Sequence, residues 1–126
     1  MLKVMVFGVF DGLHDGHQFF LREAKKQGSY LIAVVTPDHI VQEIKGRIPK
    51  ENLEKRISSI KKENLADKVA IGDSVLRSWQ VLESYRPDLI VLGYDQTDLK
   101  KSLEEYFLNH SWQPEIKSLA IFKKEA

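Results

Sequence analysis

The fold is decided by residues 2–28, which read LKVMVFGVFDGLHDGHQFFLREAKKQG. Leu2 to Val9 is a nearly continuous run of apolar and β-branched residues, which is typical of a strand buried on both faces of a parallel sheet. From about Gly16 to Gln27 the apolar residues recur at helical spacing, and Gly28 ends the pattern. The stretch therefore predicts a buried strand followed by a helix.

The same alternation continues along the chain. Buried-strand patterns recur at residues 30–35, 68–71, 88–93 and 115–122. Apolar stripes predict helices between them, at Leu53, Ile57 and Ile60, at Leu76, Trp79 and Leu82, and at Leu99, Leu103 and Tyr106 or Phe107. Thr36-Pro37-Asp38 predicts the start of a further short helix with Thr36 as its N-cap, and residues 44–50 are predicted to form a loop.

Strict alternation of strand and helix predicts an α/β fold, a Rossmann-like doubly wound five-stranded parallel sheet with helices on both faces. We expect the strand order 3-2-1-4-5, in which strands one and four are neighbours where the winding reverses. The length of 126 residues fits a single domain over residues 1–126. Doubly wound sheets bind ligands at the carboxyl ends of the strands where the winding reverses. We therefore expect residues 8–11 and 93–96 to border one crevice.

Composition narrows the possible partners. The formal net charge is +1, with 43% hydrophobic and 29% charged residues, which gives no bulk reason to expect binding to nucleic acid or membrane. The chain has no cysteine, which removes disulfides, thiol nucleophiles and cysteine metal sites and is compatible with a reducing cytosol. The apolar opening is too short for a spanning helix, so a cytoplasmic location is expected.

Two histidines flank a helix start. His14 and His17 lie on either side of Asp15-Gly16, where free backbone N–H groups and the positive end of the helix dipole attract anions. Gly16 lets a phosphate approach the backbone, and imidazole donors there would stabilise charge on a phosphoryl group during transfer. The alternative is that both histidines are caps or surface residues.

A metal site is a second interpretation of the histidine pair. Only Asp11 or Asp15 lies near enough in sequence to be a third ligand, so a zinc site is disfavoured. Mg2+ held mainly by substrate phosphates, with Asp11 assisting, fits the residues better. The glycines fall at positions 8, 12 and 16 and no Gly-Lys-Ser/Thr occurs, so neither a dinucleotide fingerprint nor a P-loop is present.

Cations and polar residues elsewhere extend the candidate site. Lys45, Arg47 and Lys50 in the predicted loop could close over a triphosphate, although a solvated surface loop has the same composition. Asp95 and Gln96 follow a buried strand and suit either recognition of a base or ribose or a helix-capping turn. We interpret Trp79 and Trp112 as core or interface residues.

Residues 8–17, GVFDGLHDGH, resemble the opening motif of the cytidylyltransferase-like nucleotidyltransferases, in which a phenylalanine-aspartate pair is followed by His-x-Gly-His. Residues 87–97, PDLIVLGYDQT, look like the late strand and turn of the archaeal-type FAD synthase branch of that family. Residues 45–47 and 54–56 are similar to its middle, so the resemblance spans about residues 2 to 120.

The resemblance implies transfer of a nucleoside monophosphate from ATP or CTP to a phosphorylated acceptor, with release of pyrophosphate, usually with Mg2+ and as a homodimer. By resemblance, the nucleotide phosphates contact His14, His17 and the backbone of Gly8, Val9 and Phe10, with Asp11 and Gly16 completing that site. Lys45 and Arg56 are implied to contact phosphate or acceptor, and Gly93, Asp95 and Gln96 to border the nucleoside.

Two departures from the family pattern bear on activity. Val9 stands where a threonine is common, which removes a hydroxyl but keeps the backbone donor. Relatives continue after the fifth strand into an Ile-Ser-Thr/Ser-Thr type turn and a final helix, which we do not find in this sequence. Three functions therefore remain open: an FMN adenylyltransferase, which is favoured, a cytidylyltransferase acting on glycerol 3-phosphate or a similar polyol phosphate, and a nucleotide-binding module with little or no catalysis.

Overall fold

The central strands are apolar because they are buried on both faces of the sheet. The structure, a computed structural model, describes residues 2–120, and Val4, Met5 and Val6 of the first strand are fully buried although they point alternately to opposite faces. The strands are β1 (Lys3–Gly8), β2 (Tyr30–Val35), β3 (Lys68–Ile71), β4 (Leu89–Leu92) and β5 (Glu115–Ser118). The helices are α1 (Asp15–Lys25), α2 (Asp38–Lys45), α3 (Leu53–Glu63), α4 (Gln80–Tyr85) and α5 (Thr97–Phe107).

The strands form one parallel sheet of order β3-β2-β1-β4-β5, so the predicted fold class is confirmed. β1 pairs with β2 along its whole length, from Lys3 opposite Tyr30 to Gly8 opposite Val35. In contrast, β1 pairs with β4 only at Val4 with Leu89 and at Met5 with Ile90. The two strands therefore separate toward their carboxyl ends, and a crevice opens between them.

The hydrophobic core lies in two layers, one on each face of the sheet. Leu21 of α1 and Ile60 of α3 pack on the layer that contains Val4 and Val6. Leu82 of α4 and Leu103 of α5 pack on the other layer, with Met5, Ile32 and Ile90. Helices therefore cover both faces, as right-handed crossovers require. Among residues 2–120, no helix is long and apolar enough to cross a bilayer.

The start of α2 differs from its prediction. Pro37 is the N-cap, without a side-chain cap bond, and the helix begins at Asp38. Thr36 is not the cap, because its hydroxyl donates instead to the carbonyl oxygen of Gly8 at 3.2 Å and joins the ends of β1 and β2. The helix also continues through Lys45 and ends at Gly46, whose φ of 71° suits glycine, so the predicted loop starts two residues too early.

The predicted helical stripe at Leu76, Trp79 and Leu82 is wrong for its first two members. The Asp73 carboxylate accepts hydrogen bonds from the backbone N–H groups of Gln80 and Val81, at 2.7 and 3.1 Å, which starts α4 only at Gln80. Trp79 precedes the helix with φ of 57° but is buried, as predicted for a core residue.

The ring of Trp79 packs edge-on against Phe7, with 5.8 Å between ring centroids. Leu76 is left 40% exposed in the loop before α4. The predicted strand 115–122 is too long: β5 ends at Ser118, opposite Leu92 at the end of β4, and Leu119 and Ala120 are not in a strand. Residues 121–122 of the prediction lie outside the described residues.

Arg56 ties several elements together beneath the carboxyl ends of the strands. Its side chain is fully buried, and its Nη1 donates to the carbonyl oxygens of Val9 at 2.9 Å and Thr36 at 2.8 Å. Its Nε donates to the Glu51 carbonyl oxygen at 3.0 Å, and its Nη2 pairs with the Asp38 carboxylate at 2.5 Å. One guanidinium therefore joins β1, α2 and α3.

We predict that Arg56→Ala lowers the free energy of unfolding by about 3 to 5 kcal/mol, because it leaves three carbonyl oxygens without their donor and Asp38 without its partner. Urea denaturation of the purified variant measures this. Lys61→Ala, on the exposed face of the same helix, is the matched control and should change stability by less than about 0.5 kcal/mol. A loss below about 1 kcal/mol for Arg56→Ala would contradict the structural role of Arg56.

Candidate active site

A crevice of about 1100 Å³ opens at the carboxyl ends of the strands, over the gap between β1 and β4. Its lining includes nearly all the predicted site residues: Gly8, Val9, Phe10, Asp11, His14, Gly16, His17, Lys45, Gly93, Asp95 and Gln96. Arg56 is the exception, since it lies beneath this surface. The two stretches expected to share a crevice, residues 8–11 and 93–96, do so.

His14 is the N-cap of α1 and His17 is the third residue of that helix, and both histidines line the crevice. Nδ1 of His14 accepts a hydrogen bond from the Gly16 N–H at 3.1 Å, and Nδ1 of His17 accepts one from the His14 N–H at 3.3 Å. Because each Nδ1 is an acceptor, each neutral ring carries its proton on Nε2, which remains available as a donor. The rings stack with 3.8 Å between centroids.

His17 is held in its neutral form. Partial burial is the main cause that lowers its pKa to about 4, and the nearby charges of His14 and Lys45 act in the same direction. The carboxylates of Asp11 and Asp95 oppose this shift without overcoming it. At neutral pH the His17 imidazole is therefore an uncharged hydrogen-bond donor, surrounded by both positive and negative groups.

Two glycines keep the motif in this shape. A Cβ at Gly16 would lie 2.9 Å from Cε1 of His14, so only glycine leaves room for that ring over the helix start. A Cβ at Gly8 would lie 2.6 Å from the Phe10 ring, and Phe10 itself has a φ of 52°. The buried Phe10 ring also packs edge-on against His17, with 5.5 Å between centroids. The backbone of Gly8, Val9 and Phe10 is thus fixed along the crevice.

Asp11 anchors the loop after α2. Its carboxylate accepts hydrogen bonds from the backbone N–H groups of Lys50 at 2.8 Å and Glu51 at 2.9 Å, and Arg47 lies 3.8 Å away. In return, the Glu51 carboxylate accepts from the Gly12 N–H at 3.1 Å. Burial acts to raise the pKa of Asp11, but the two amides and Arg47 outweigh it and hold the pKa below its usual value.

The cations predicted to contact phosphates separate into two groups. Lys45, Arg47 and Lys50 line the crevice. The Arg56 guanidinium instead binds the backbone, because its N–H groups donate to the carbonyl oxygens of Val9, Thr36 and Glu51. Helical spacing already signals its burial, since Arg56 lies three residues after Leu53 and four before Ile60 on the same apolar face.

Gln96 fixes the β4 side of the crevice. Its Oε1 accepts a hydrogen bond from the Gly93 N–H at 2.8 Å, and its Nε2 donates to the Phe7 carbonyl oxygen at 2.9 Å. The side chain therefore bridges the ends of β1 and β4 where the strands no longer pair. It also precedes α5 as the N-cap residue without making a side-chain cap bond.

The sequence interpretation missed several residues of the crevice. Tyr94, 55% exposed, lies in the stretch 93–96 that was expected at the crevice, but no role was assigned to its aromatic ring. Ile44, Val75 and Leu76 also line the crevice. Val75 and Leu76 were missed because the stripe around them was interpreted as helical.

The part of the chain that the structure describes offers few ligands for a divalent metal ion. Within residues 2–120, no group of three or more histidine, aspartate or glutamate side chains is arranged to hold a metal ion. Asp11 and Asp95 are the carboxylates beside His17, and Asp11 already accepts two backbone amides. The donor set therefore fits a hard cation bound chiefly through substrate phosphates.

Comparison with known proteins agrees with this geometry. Residues 5–125 match the family described as cytidylyltransferase-like. The FAD synthase of Aciduliprofundum boonei is 41% identical over 105 residues, which cover 83% of this chain and 69% of that protein. The FAD synthase of Pyrococcus abyssi is 36% identical over 124 residues, which cover 98% of this chain and 84% of that protein.

Solved structures show the same fold. The crystal structure titled lipopolysaccharide core biosynthesis protein, from Thermoplasma volcanium, matches with a TM-score of 0.89 at 30% identity and covers 98% of this chain and 99% of that one. Pantothenate synthetase from Thermus thermophilus matches with a TM-score of 0.66 at 13% identity over 57% of its chain, which is a likeness of fold alone. The resemblance found in the sequence is thus confirmed, and the chain belongs to the cytidylyltransferase-like family of nucleotidyltransferases.

Proposed function

We propose that this enzyme is an FMN adenylyltransferase. A phosphate oxygen of FMN attacks the α-phosphorus of ATP, the bond from that phosphorus to the bridging oxygen breaks, and FAD and pyrophosphate leave. The observation that carries the proposal is the pair of histidines at a helix start, beside the gap between β1 and β4, whose Nδ1 atoms both accept backbone N–H groups and so leave each Nε2 toward the crevice as a donor. The FAD synthases that match most of the chain support FMN as the acceptor.

The residues of the β1–α1 turn bind the phosphates. Nε2–H of His14 and of His17 donates to phosphate oxygens, and the positive end of the α1 dipole adds to the potential at these oxygens. Phosphoryl transfer depends on positioning and charge stabilisation more than on covalent participation by the protein. Donors fixed before the substrate arrives need no reorganisation as negative charge grows on those oxygens.

The remaining site residues divide into binding and positioning roles. Lys45, Arg47 and Lys50 stabilise the triphosphate and the acceptor phosphate. The nucleoside lies against Gly93, Tyr94 and Asp95 on the β4 side. Arg56 and Gln96 act as positioning residues, because their donors hold the carbonyls of Val9 and Phe7.

Asp11 is the side chain that would help to hold a nucleotide-bound Mg2+ ion in this proposal. The cation would be held mainly by the phosphates, with Asp11 as the protein's contribution, and it would neutralise charge on the β- and γ-phosphates. The amide bonds from Lys50 and Glu51 keep Asp11 ionised and in place. We further propose that the chain works as a single domain, in keeping with its length of 126 residues, and in the cytoplasm. The family resemblance implies a homodimer, and sedimentation of the purified chain tests this.

A panel of substrate pairs tests the reaction. The purified chain is incubated with ATP or CTP, Mg2+ and either FMN or glycerol 3-phosphate, and pyrophosphate release is measured. We expect release with ATP and FMN, together with formation of FAD. Release only with CTP and glycerol 3-phosphate would replace the proposed substrates. Calorimetric binding of ATP without any product would mean that the chain binds nucleotides without catalysis.

His17→Ala should lower kcat by about 100- to 1000-fold, because it removes one donor to the charge that develops in the transition state. The substitution also removes the capping bond to the His14 N–H, so we expect a loss of about 1 kcal/mol in unfolding free energy. His110→Ala is the matched control, since the His110 ring packs against Tyr106 outside the crevice, with 4.2 Å between ring centroids. A His17→Ala enzyme with the wild-type kcat would remove His17 from the mechanism.

The depressed pKa of His17 predicts two pH effects. Its imidazole should show no titration above about pH 5 in an NMR experiment on the Cε1 proton, since the pKa in the folded protein is about 4. The unfolded chain takes up this proton near the ordinary value of 6.5, so stability should fall as the pH drops from 6.5 toward 4. His17→Asn should lack this part of the decline. A midpoint near 6.5 for His17 in the folded enzyme would contradict a neutral donor held by burial.

A further inference from the structure

One side of the crevice is apolar and exposed. Ile44 at the end of α2 is 49% exposed, and Val75 and Leu76 in the loop of residues 72–79 are 64% and 40% exposed. All three line the crevice, and we call them the apolar wall. Exposed apolar side chains gathered in a concave site indicate a ligand surface, since they contribute nothing to the core.

The crevice has room for more than the nucleotide. A single small ligand usually occupies a pocket of about 300 to 1000 Å³, and this crevice measures about 1100 Å³. The histidines and the turn after β4 occupy the β1–β4 side. The apolar wall comes from α2, which follows β2, and from the loop that follows β3, so it belongs to the other half of the sheet. The apolar wall is therefore a part of the crevice that neither the histidines nor the turn after β4 provides.

Hydrogen bonds hold the wall in place before any ligand binds. Nε2 of His39 on α2 and the Ser74 carbonyl oxygen lie 2.7 Å apart in a hydrogen bond that joins the two parts of the wall. At the start of the loop, the Gly72 N–H donates to the Val35 carbonyl oxygen at 2.8 Å. At its end, Asp73 accepts from the N–H groups of Gln80 and Val81. The loop is thus anchored at both ends.

Two positively charged side chains beside the apolar wall indicate that the ligand also carries an anionic group. Lys45 follows Ile44 on α2, and Arg77 follows Leu76 in the loop, and both line the crevice. Lys45 follows Ile44 of the wall in sequence and is close enough to His17 for its charge to lower the pKa of that histidine. A ligand that fits has an apolar ring at one end and an anionic group that reaches toward the histidines.

We propose that the apolar wall binds the isoalloxazine ring of the acceptor and makes this enzyme select ring-bearing phosphates over simple polyol phosphates. The inference rests on the proposed FMN adenylyltransferase function and names the residues that choose its acceptor. Val75, Leu76 and Ile44 cover one face of the ring while the FMN phosphate reaches Lys45. A polyol phosphate without a ring leaves the wall in water and gains nothing from it.

The test compares acceptors and variants. The double variant Val75→Ser/Leu76→Ser should raise the KM for FMN by about 10-fold or more, because apolar contacts of a few methylene groups discriminate by that factor. The KM for ATP should stay within about twofold, and the protein should lose the preference for FMN over ribitol 5-phosphate. Quenching of flavin fluorescence, measured without ATP, should show the same weakening of FMN binding.

Two further variants serve as a second test of the wall and as a control outside the crevice. Ile44→Ser changes the wall from a different element and should act in the same direction even if the loop variant folds poorly. Leu108→Ser removes an apolar side chain that is 73% exposed outside the crevice, and it should leave every parameter unchanged. Circular dichroism checks the fold of each variant.

The possible outcomes distinguish a wrong assignment of the apolar wall from a wrong proposed function. If the wild-type chain forms FAD but the wall variants keep its KM and affinity for FMN, the assignment of the wall is wrong while the function stands. If Tyr94→Ser raises the KM for FMN and the wall variants do not, the ring lies on the β4 side and the assignment is also wrong. If the wild-type chain forms no FAD and does not quench flavin fluorescence, the proposed function itself falls.

Discussion

The early end of pairing between β1 and β4 is the constraint on which the site depends. Two residue pairs join these strands, at Val4 with Leu89 and at Met5 with Ile90, whereas β1 and β2 stay paired to Gly8. The residues after each strand must then provide other hydrogen-bond partners for the backbone, because a buried N–H or carbonyl group without a partner costs free energy. Gln96 does this by bonding the Gly93 N–H and the Phe7 carbonyl with one side chain. The gap stays open, yet its two edges are held at a fixed separation.

Much of the fold could be predicted from the sequence because buried parallel strands have unbroken apolar runs. The parallel sheet with helices on both faces follows from that pattern and from the handedness of crossovers, and the crevice between residues 8–11 and 93–96 follows once the strand order 3-2-1-4-5 is assumed. The start of α4 could not be predicted in the same way, because the Asp73 carboxylate sets it from seven residues before Gln80. Such a cap depends on where a loop returns in space, and apolar spacing carries no information about it.

The candidate site was predictable where residue type alone determines the chemistry, and less so where burial decides the role. His14, Gly16 and His17 were identified because a helix start with imidazoles suits an anion. Arg56 has the charge of a phosphate ligand, but its carbonyl partners come from Val9, Thr36 and Glu51, far apart in the chain. Only the assembled fold shows that its hydrogen bonds serve the backbone.

The capping of α1 shows how folding and chemistry use the same contacts. The two Nδ1 acceptors that complete the helix start also fix where each neutral ring carries its proton, which leaves the two Nε2 donors free. Gly16 takes part because a Cβ there would displace the His14 ring. A histidine held only by packing could rotate or change tautomer when a phosphate arrives, and part of the binding energy would then go into ordering it. Here the order is already set by the free energy of folding, so the donors meet the developing charge in their final orientation.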